Sequence, residues 1–423
     1  MRQNSSYLLT LIAMAVMISA CTPSASLGIA GSELAREINP QISAGDLRLL
    51  VEGNNTFAWD LYHSARAEGG NLILSPYSIS LALAMTYAGA RGETESQMED
   101  VLHYPLGQSP THNAFNALDL DLSKRGQAGD ENSEPLNLNI ANAVWAEQSY
   151  PFLQEFLDTL AVHYGAGIFL ADFINQFEAV RRTINEWVAD STEGRIQDLL
   201  PKASLNAYSR MVLVNAIYFK ADWLDPFDAD STRPETFQHL DGSESSVEMM
   251  NNGVLIPYHT GKGFQAIELP YAGDTSSMTI FVPDAGNFET FESSFDYSLY
   301  SQTLSDMQPR SVALGLPEFQ FDKAINLSDV LKDMGMPDAF DPGAADFSGM
   351  TGAKDLFISN VFHKAYVAVD EQGTEAAAAT AVIMEITSAQ LYEIELQIDR
   401  PFIFAIRDKP SGQILFLGRV TDP

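Results

Sequence analysis

An alanine-rich segment near the carboxyl end limits the folds open to this chain. Residues 371–388 read EQGTEAAAATAVIMEITS and follow an alternating run over 361–369, the pattern of a strand with one buried face. A strand normally ends in a short turn. Here Gly373 is instead followed by a long stretch without Pro, Lys or Arg, and the chain is next anchored by a compact motif at 399–402. The length and composition of this segment therefore do not fit a short turn between two strands.

Strand periodicity sorts this segment into two faces. One face would carry only small or apolar side chains: Thr374, Ala376, Ala378, Thr380, Val382 and Met384. The other would carry Glu375, Ala377, Ala379, Ala381, Ile383 and Glu385. Because both glutamates fall on one face, the opposite face can be buried without stranding a charge. The pattern predicts a spare strand, able to enter a sheet.

The residues alone leave another interpretation open. Glu and Ala are good helix formers, so residues 371–381 are also compatible with a solvated helix or a flexible linker. The words EQGTEAAAAT, however, closely resemble the proximal hinge of inhibitory serpins. That resemblance implies a metastable protease inhibitor whose exposed reactive loop enters a sheet after cleavage. We use "hinge" for residues 371–380, with Glu371 at their start.

The rest of the chain agrees with an α+β serpin fold: a large central mixed sheet, two smaller sheets, surrounding helices and the exposed loop. Helical spacing predicts helices at 57–65, 155–164 and 173–188, and Ser75-Pro76 is a typical helix start. The run 212–219 predicts a strand buried on both faces. The resemblance covers residues 46–423, which are expected to form a single domain.

The resemblance also implies a polar cluster beneath the main sheet. It consists of Ser75, Ser78, Asn215 and His363. Trp223 matches the residue at the top of the gap that opens between two strands of this sheet when the loop enters. An asparagine inside the apolar run 212–219 is costly unless it is paired, and His363 by itself would indicate a core histidine. One position departs from the family. Serpins often have Lys after the Leu-Pro pair, whereas this chain has Glu318, which would repel Glu371 and ease opening of the hinge.

The family offset of fourteen residues beyond Gly373 places the cleaved bond at Thr387-Ser388, with Ile386-Thr387 as the second choice. No Lys or Arg lies between Gly373 and Arg400, which argues against trypsin-like targets. Serine or cysteine proteases of the elastase-like, subtilisin-like or papain-like kinds remain open. The alternative from another class is a non-inhibitory serpin that acts as a binding or carrier protein with an idle loop.

The amino end predicts export. Residues 1–20 combine Arg2, an apolar run over 8–18 and small residues before Cys21, typical of a secretory signal. The ending resembles a bacterial lipobox, which implies lipidation of Cys21 and anchoring at the outer membrane, facing the periplasm or the cell surface. The small, polar residues that follow predict a linker over 21–45. An ordinary signal peptide with a free thiol is the alternative. With one cysteine, no intrachain disulfide can form.

Charge and missing motifs exclude several functions. The chain has 24 basic and 56 acidic side chains, a net charge of -32 that disfavours nucleic acid. Heparin activation is not expected, because the only adjacent basic pairs are Lys124-Arg125 and Arg181-Arg182. No hydrolase or phosphate-binding motif occurs, and the seven histidines are scattered. We therefore expect a monomeric protein that is not an enzyme and uses no metal or cofactor.

Overall fold

The computed structural model describes residues 28–125, 137–374 and 392–423. Its helices are α1 Ala44–Ala65, α2 Pro76–Tyr87, α3 Gly92–Leu102, α4 Gln108–Arg125, α5 Gln154–Tyr164, α6 Phe173–Ser191, α7 Phe288–Ser294, α8 Tyr297–Asp306, α9 Ser328–Met334 and α10 Ser348–Thr351. Its strands are β1 Gly28–Ala30, β2 Leu72–Leu74, β3 Asn137–Glu147, β4 Ile168–Ala171, β5 Met211–Asp222, β6 Arg233–Gln238, β7 Glu244–Gly261, β8 Phe264–Pro270, β9 Ser276–Pro283, β10 Gln308–Pro317, β11 Phe319–Asn326, β12 Ile358–Val369, β13 Gly373–Thr374, β14 Ile394–Gln397, β15 Phe402–Asp408 and β16 Ile414–Val420.

A seven-stranded sheet lies at the centre, in the order β1-β4-β3-β5-β13-β12-β11. Strand β5 is buried on both faces, as its continuous apolar run predicts. It pairs antiparallel with β3 and parallel with β12, so the sheet is mixed. The predicted α+β class with a mixed central sheet is confirmed.

The two smaller sheets that were predicted are continuous with each other. Strand β7 is 18 residues long; it pairs with β6 at its start, with β10 along its middle and with β8 near its end. The result is one nine-stranded sheet, with the path β14-β10-β7-β8-β9-β15-β16-β2 and β6 beside β7. Strand β7 thus joins the two groups of strands that were predicted to form separate sheets.

Opposite faces of the central sheet pack differently. Helix α6 covers one face, where Ile184 and Val188 belong to a core cluster with Val212 and Val214 of β5. The alternate residues of β5, such as Leu213, belong to the main core, which includes α2 and the nine-stranded sheet. Asn215 therefore points toward α2, away from α6.

The predicted linker over 21–45 needs correction from Gly28 onward. Strand β1 pairs antiparallel with β4, so residues 28–30 extend the edge of the central sheet. Arg36 then forms an ion pair with Asp119 at 2.7 Å, and the Ser43 side chain accepts from the N–H of Asp46 to cap α1. These specific contacts outweigh the small, polar composition that predicted a tether. The domain thus includes residues well before 46, and only 21–27 remain as a candidate linker.

Candidate functional site

The site is a seam in the central sheet between β5 and β12. Over the lower part the two strands pair directly, from Ile358 opposite Met211 up to Tyr366 opposite Tyr218. Above that point they separate, and β13 lies between them. A sheet that already parts at one end can accept more strand there, provided that the lower ladder also opens.

The first hinge residues occupy the top of the seam. Gly373 pairs with Asp222, and Thr374 pairs with both Ala221 and Val369. A Cβ on Gly373 would lie only 2.1 Å from the carbonyl oxygen of Ala221. The close approach of the two backbones therefore explains why this position is glycine.

Thr374 tests the predicted two faces of the segment at one position. Its side chain is completely buried, and its Oγ1 lies 2.8 Å from the hydroxyl of Tyr271. The Tyr271 ring is stacked on Trp223, with 4.6 Å between the ring centroids. The first residue of the apolar face thus points into the core, as the alternation predicts.

Trp223 holds the turn that leads into β13. Its indole N–H donates to the carbonyl of Asp370 at 3.0 Å, and its backbone N–H donates to the carbonyl of Gln372 at 2.7 Å. The structure therefore places Trp223 where the resemblance implied, at the top of the opening. Tyr271 was missed by the sequence analysis, because a single tyrosine before a turn carries no signal of its distant partner.

The polar cluster lies lower in the same seam, and all four predicted members come together. The backbone N–H of Ser75 donates to Nε2 of His363 at 3.3 Å, while Nδ1 of His363 contacts Oδ1 of Asn215. Ser78 Oγ accepts from the side-chain amide of Asn215. Ser75 does not cap α2 through its side chain; its hydroxyl donates to the carbonyl of Leu415 at 2.7 Å. Ser75 therefore anchors the helix to β16.

A further residue, Asn142 of β3, completes this cluster. Its Oδ1 accepts from Asn215 and from Ser78 Oγ, and its amide donates to the carbonyl of Ser78 at 3.0 Å. The sequence analysis missed Asn142, although an asparagine in the middle of a strand is the same signal that pointed to Asn215. Only the contact between Asn215 and His363 crosses from β5 to β12 among these side-chain bonds.

Burial lowers the pKa of His363 to about 3, so the ring is neutral at physiological pH. Since Nε2 accepts from Ser75, the single ring proton lies on Nδ1 and is donated to Asn215. His363 is a fully buried core histidine that joins the two strands of the seam. It lacks the solvent exposure and the pKa near 7 that a catalytic acid or base would need.

Helix α6 lies over this sheet and is tied to it near its start, where Glu147 of β3 accepts from the N–H groups of Phe173 and Ile174. Further along, Arg181 and Asn185 both donate to the carbonyl of Leu200, in the loop that leads to β5. Because α6 covers the face under which a new strand would pass, these contacts must adjust during any insertion.

The remaining predicted site residues lie outside the described part of the chain. They are Glu375, Ala376, Ala377, Ala378, Ala379, Thr380, Ile386, Thr387, Ser388 and Cys21. Within the described residues, no group of three or more His, Cys, Asp or Glu side chains is arranged to hold a metal ion. The same residues include no helix with the length and hydropathy to cross a bilayer.

Comparisons with known proteins agree with this arrangement. The chain matches the family model described as Serpin (serine protease inhibitor) over residues 52–423. It is 39% identical over 385 residues to a leukocyte elastase inhibitor of Bos taurus, covering 88% of this chain and 99% of that protein. It is 36% identical over 377 residues to an uncharacterized serpin-like protein of Methanosarcina acetivorans, covering 88% and 86% of the two chains.

Solved structures are similar over almost the whole chain. The native state of tengpin, a thermophilic serpin, superimposes with a TM-score of 0.80 at 28% identity, covering 93% of this chain and 98% of that one. Uncleaved ovalbumin superimposes with a TM-score of 0.78 at 27% identity, covering 88% and 100%.

The fold and the seam define a protein whose central sheet holds a short strand, β13, between the upper ends of β5 and β12. The chain belongs to the serpin family. Members of this family are inhibitors of proteases and not enzymes, so the predicted absence of catalysis is confirmed by the family and by relatives named as inhibitors. The family and these relatives support protease inhibition as the general function.

Proposed function

We propose that this serpin is an irreversible suicide-substrate inhibitor of serine or cysteine endopeptidases. The observation that carries the proposal is the position of β13. Gly373 and Thr374 already lie between β5 and β12, with the Thr374 side chain in the core. The hinge has thus made the first contacts of an inserted strand before any cleavage.

The proposed reaction begins as ordinary proteolysis. The protease nucleophile attacks the carbonyl carbon of Thr387, the bond to Ser388 breaks, and Ser388 leaves with a free amino group. The protease then remains joined to Thr387 as an acyl-enzyme, which water would normally release. If the bond is at Ile386-Thr387 instead, the same steps apply one residue earlier.

Insertion competes with that release. Residues from Thr374 onward enter the seam as a central strand and carry the attached protease with them. Fourteen residues at about 3.3 Å each move it by about 46 Å, enough to pull its active site out of shape. The driving force is the burial of apolar side chains and the new backbone hydrogen bonds, held back until cleavage because the folded protein is kinetically trapped.

The loop sequence supports an elastase-like target. Relatives are named leukocyte elastase inhibitors, and Met384, Ile386 and Thr387 are side chains that proteases with apolar pockets accept. Subtilisin-like and papain-like enzymes remain within the proposal. Trypsin-like enzymes are outside it, because residues 374–399 contain no Lys or Arg.

Incubation with an elastase-like and a papain-like enzyme should give a complex of inhibitor and protease that survives boiling in detergent. The complex is covalent because deacylation has been stopped. Gel electrophoresis against a panel of proteases measures it, with trypsin as the negative control. Cleavage of the loop by the whole panel without any complex would contradict the proposal and favour the binding or carrier protein instead.

The proposal places the protein at a membrane surface through lipid on Cys21, after export directed by residues 1–20. It acts there as a monomer without nucleic acid or heparin. The ion pairs of the two adjacent basic pairs support the absence of heparin binding, since Arg125 is paired with Asp408 and Arg181 with Glu178.

Mass spectrometry of the mature amino end should show a diacylated or triacylated Cys21, and the Cys21→Ser protein should lack this modification. An unmodified Cys21 in the native host would contradict the anchor.

A further inference from the structure

Glu318 lies beside the hinge, where β10 of one sheet leads into β11 of the other. Its backbone N–H donates to the carbonyl of Glu248 at 2.9 Å, which fixes its position. Its side chain lies within hydrogen-bonding reach of the Glu371 carboxyl group. The sequence analysis expected the two carboxylates to repel each other; the raised pKa of Glu318 instead allows the two groups to share a proton up to about pH 7. Two carboxyl groups can share a hydrogen bond only if one of them carries a proton.

Glu371 is held from the opposite side as well. Thr232 donates its hydroxyl to Oε1 of Glu371 at 2.6 Å, and the N–H of Phe227 donates to the Glu371 carbonyl at 2.8 Å. With backbone and side chain both fixed, Glu371 has little freedom to turn away. Movement of the Glu371 carboxyl group away from Glu318 therefore requires movement of the hinge backbone.

The turn at 370–373 transmits that movement to the seam. Asp370 donates its N–H to the carbonyl of Gly373 at 3.0 Å, and its Oδ1 accepts from the N–H groups of Gln372 and Gly373. Glu371 lies inside this turn, directly before β13. A displacement of Glu371 thus reaches Gly373 and Thr374 through a short, hydrogen-bonded segment.

The neighbouring charges that raise the pKa of Glu318 are acidic. Glu371 and Asp370 come from the turn, and Glu248 comes from β7. On the neighbouring strand β6, Arg233 is paired with Glu235 at 2.6 Å. Burial, followed by the charge of Glu371, raises the pKa of Glu318 to about 7. Burial likewise raises the pKa of Asp370, on which Glu371 and Asp222 also act.

We propose that the Glu318–Glu371 carboxyl pair makes the hinge sensitive to pH: a proton shared by the pair holds Gly373 and Thr374 in the sheet, and its loss releases them. This regulation rests on the proposed inhibitory function, because the hinge is the part that moves during trapping. It needs no ligand. The carboxyl pair takes the place of the ion pair that a lysine at 318 would make with Glu371. Unlike that ion pair, it is broken when the pH rises and the shared proton is lost.

The direction follows from proton binding. A docked hinge keeps the proton on Glu318 up to about pH 7. Release of the hinge removes the charge and the hydrogen bond of Glu371, two of the causes that raise this pKa, so a released hinge loses the proton at a lower pH. The stabilisation of the docked hinge is therefore fully present below the pKa of the released state and is lost as pH rises through 7. Between pH 6 and pH 8 the ratio of docked to released hinge should fall by up to about tenfold.

Hydrogen exchange of the free, intact protein tests this. A peptide covering residues 370–374 should lose protection by up to about tenfold between pH 6 and pH 8, after correction for the intrinsic rise in exchange rate with pH. Glu318→Gln should remain protected at both pH values, since an amide donates to Glu371 without titrating. Glu318→Lys should behave in the same way, because its charge attracts Glu371.

Glu395→Gln is the matched control, since it removes an exposed glutamate on β14 away from the turn. It should retain the pH dependence of the unmodified protein. Equal protection at pH 6 and pH 8, or an unchanged pH dependence in Glu318→Gln, would overturn the proposal. Because no protease is present, the outcome is independent of trapping: stable complexes together with a pH-independent hinge would reject only the regulation.

Discussion

Thr374→Arg should turn the inhibitor into a substrate. Thr374 is fully buried at the entrance to the seam, where its hydroxyl contacts Tyr271. An arginine at this position would have to carry an unpaired charge into the core, which costs several kcal/mol. Because each 1.4 kcal/mol added to the barrier slows a step about tenfold, insertion should lose its competition with deacylation. We expect the trapped fraction to fall by at least about tenfold.

The stoichiometry of inhibition measures this result as moles of serpin consumed for each mole of protease inactivated. Glu375→Arg is the matched control, since strand alternation predicts that position 375 belongs to the other face. It introduces the same side chain one residue away and should retain trapping. If the Thr374→Arg protein traps as efficiently as the unmodified protein, insertion does not bury the face that begins with Thr374. If both variants fail equally, charge near the hinge matters and the direction of the side chain does not.

The hinge could be predicted from sequence because its information is local. Alternation over 374–385 places both glutamates on one face, and the structure buries Thr374 on the other face as that pattern requires. The same holds for Asn215, where a polar residue inside an apolar strand demands a partner. Both features are visible in a few consecutive residues.

The missed features depend on contacts between distant segments. Tyr271 meets Thr374 across more than one hundred residues, and Asn142 meets Asn215 only after β3 and β5 have paired. Residues 28–43 were predicted to form a tether, because their composition is small and polar. Composition does not reveal the acidic side chains and backbone groups elsewhere in the domain that these residues contact. The number of hinge residues that lie in the sheet could likewise not be predicted from the sequence, since it depends on how far β5 and β12 separate.

His363→Phe should make the central sheet open faster. The contact of His363 with Asn215 is the side-chain hydrogen bond of the polar cluster that joins β5 to β12. Phenylalanine keeps a ring in the same space but cannot bond, which leaves the Ser75 N–H and the Asn215 oxygen unpaired in the closed sheet. Each such buried group costs about 1–3 kcal/mol. Since the closed sheet is destabilised more than the open one, opening should accelerate by about tenfold to a hundredfold.

A labelled synthetic peptide with the sequence TEAAAATAVIME measures opening, because it can enter the seam only when β5 and β12 part. Its rate of incorporation is followed by native gel electrophoresis. Asn142→Ala is the matched control: it removes bonds of the same cluster that join β3 and α2 to β5 without crossing the seam. It should lower the midpoint of heat denaturation while leaving peptide entry near the original rate. Equal acceleration in both variants would mean that the cluster restrains the sheet as a unit, and unchanged entry in His363→Phe would mean that the backbone ladder alone keeps the seam closed.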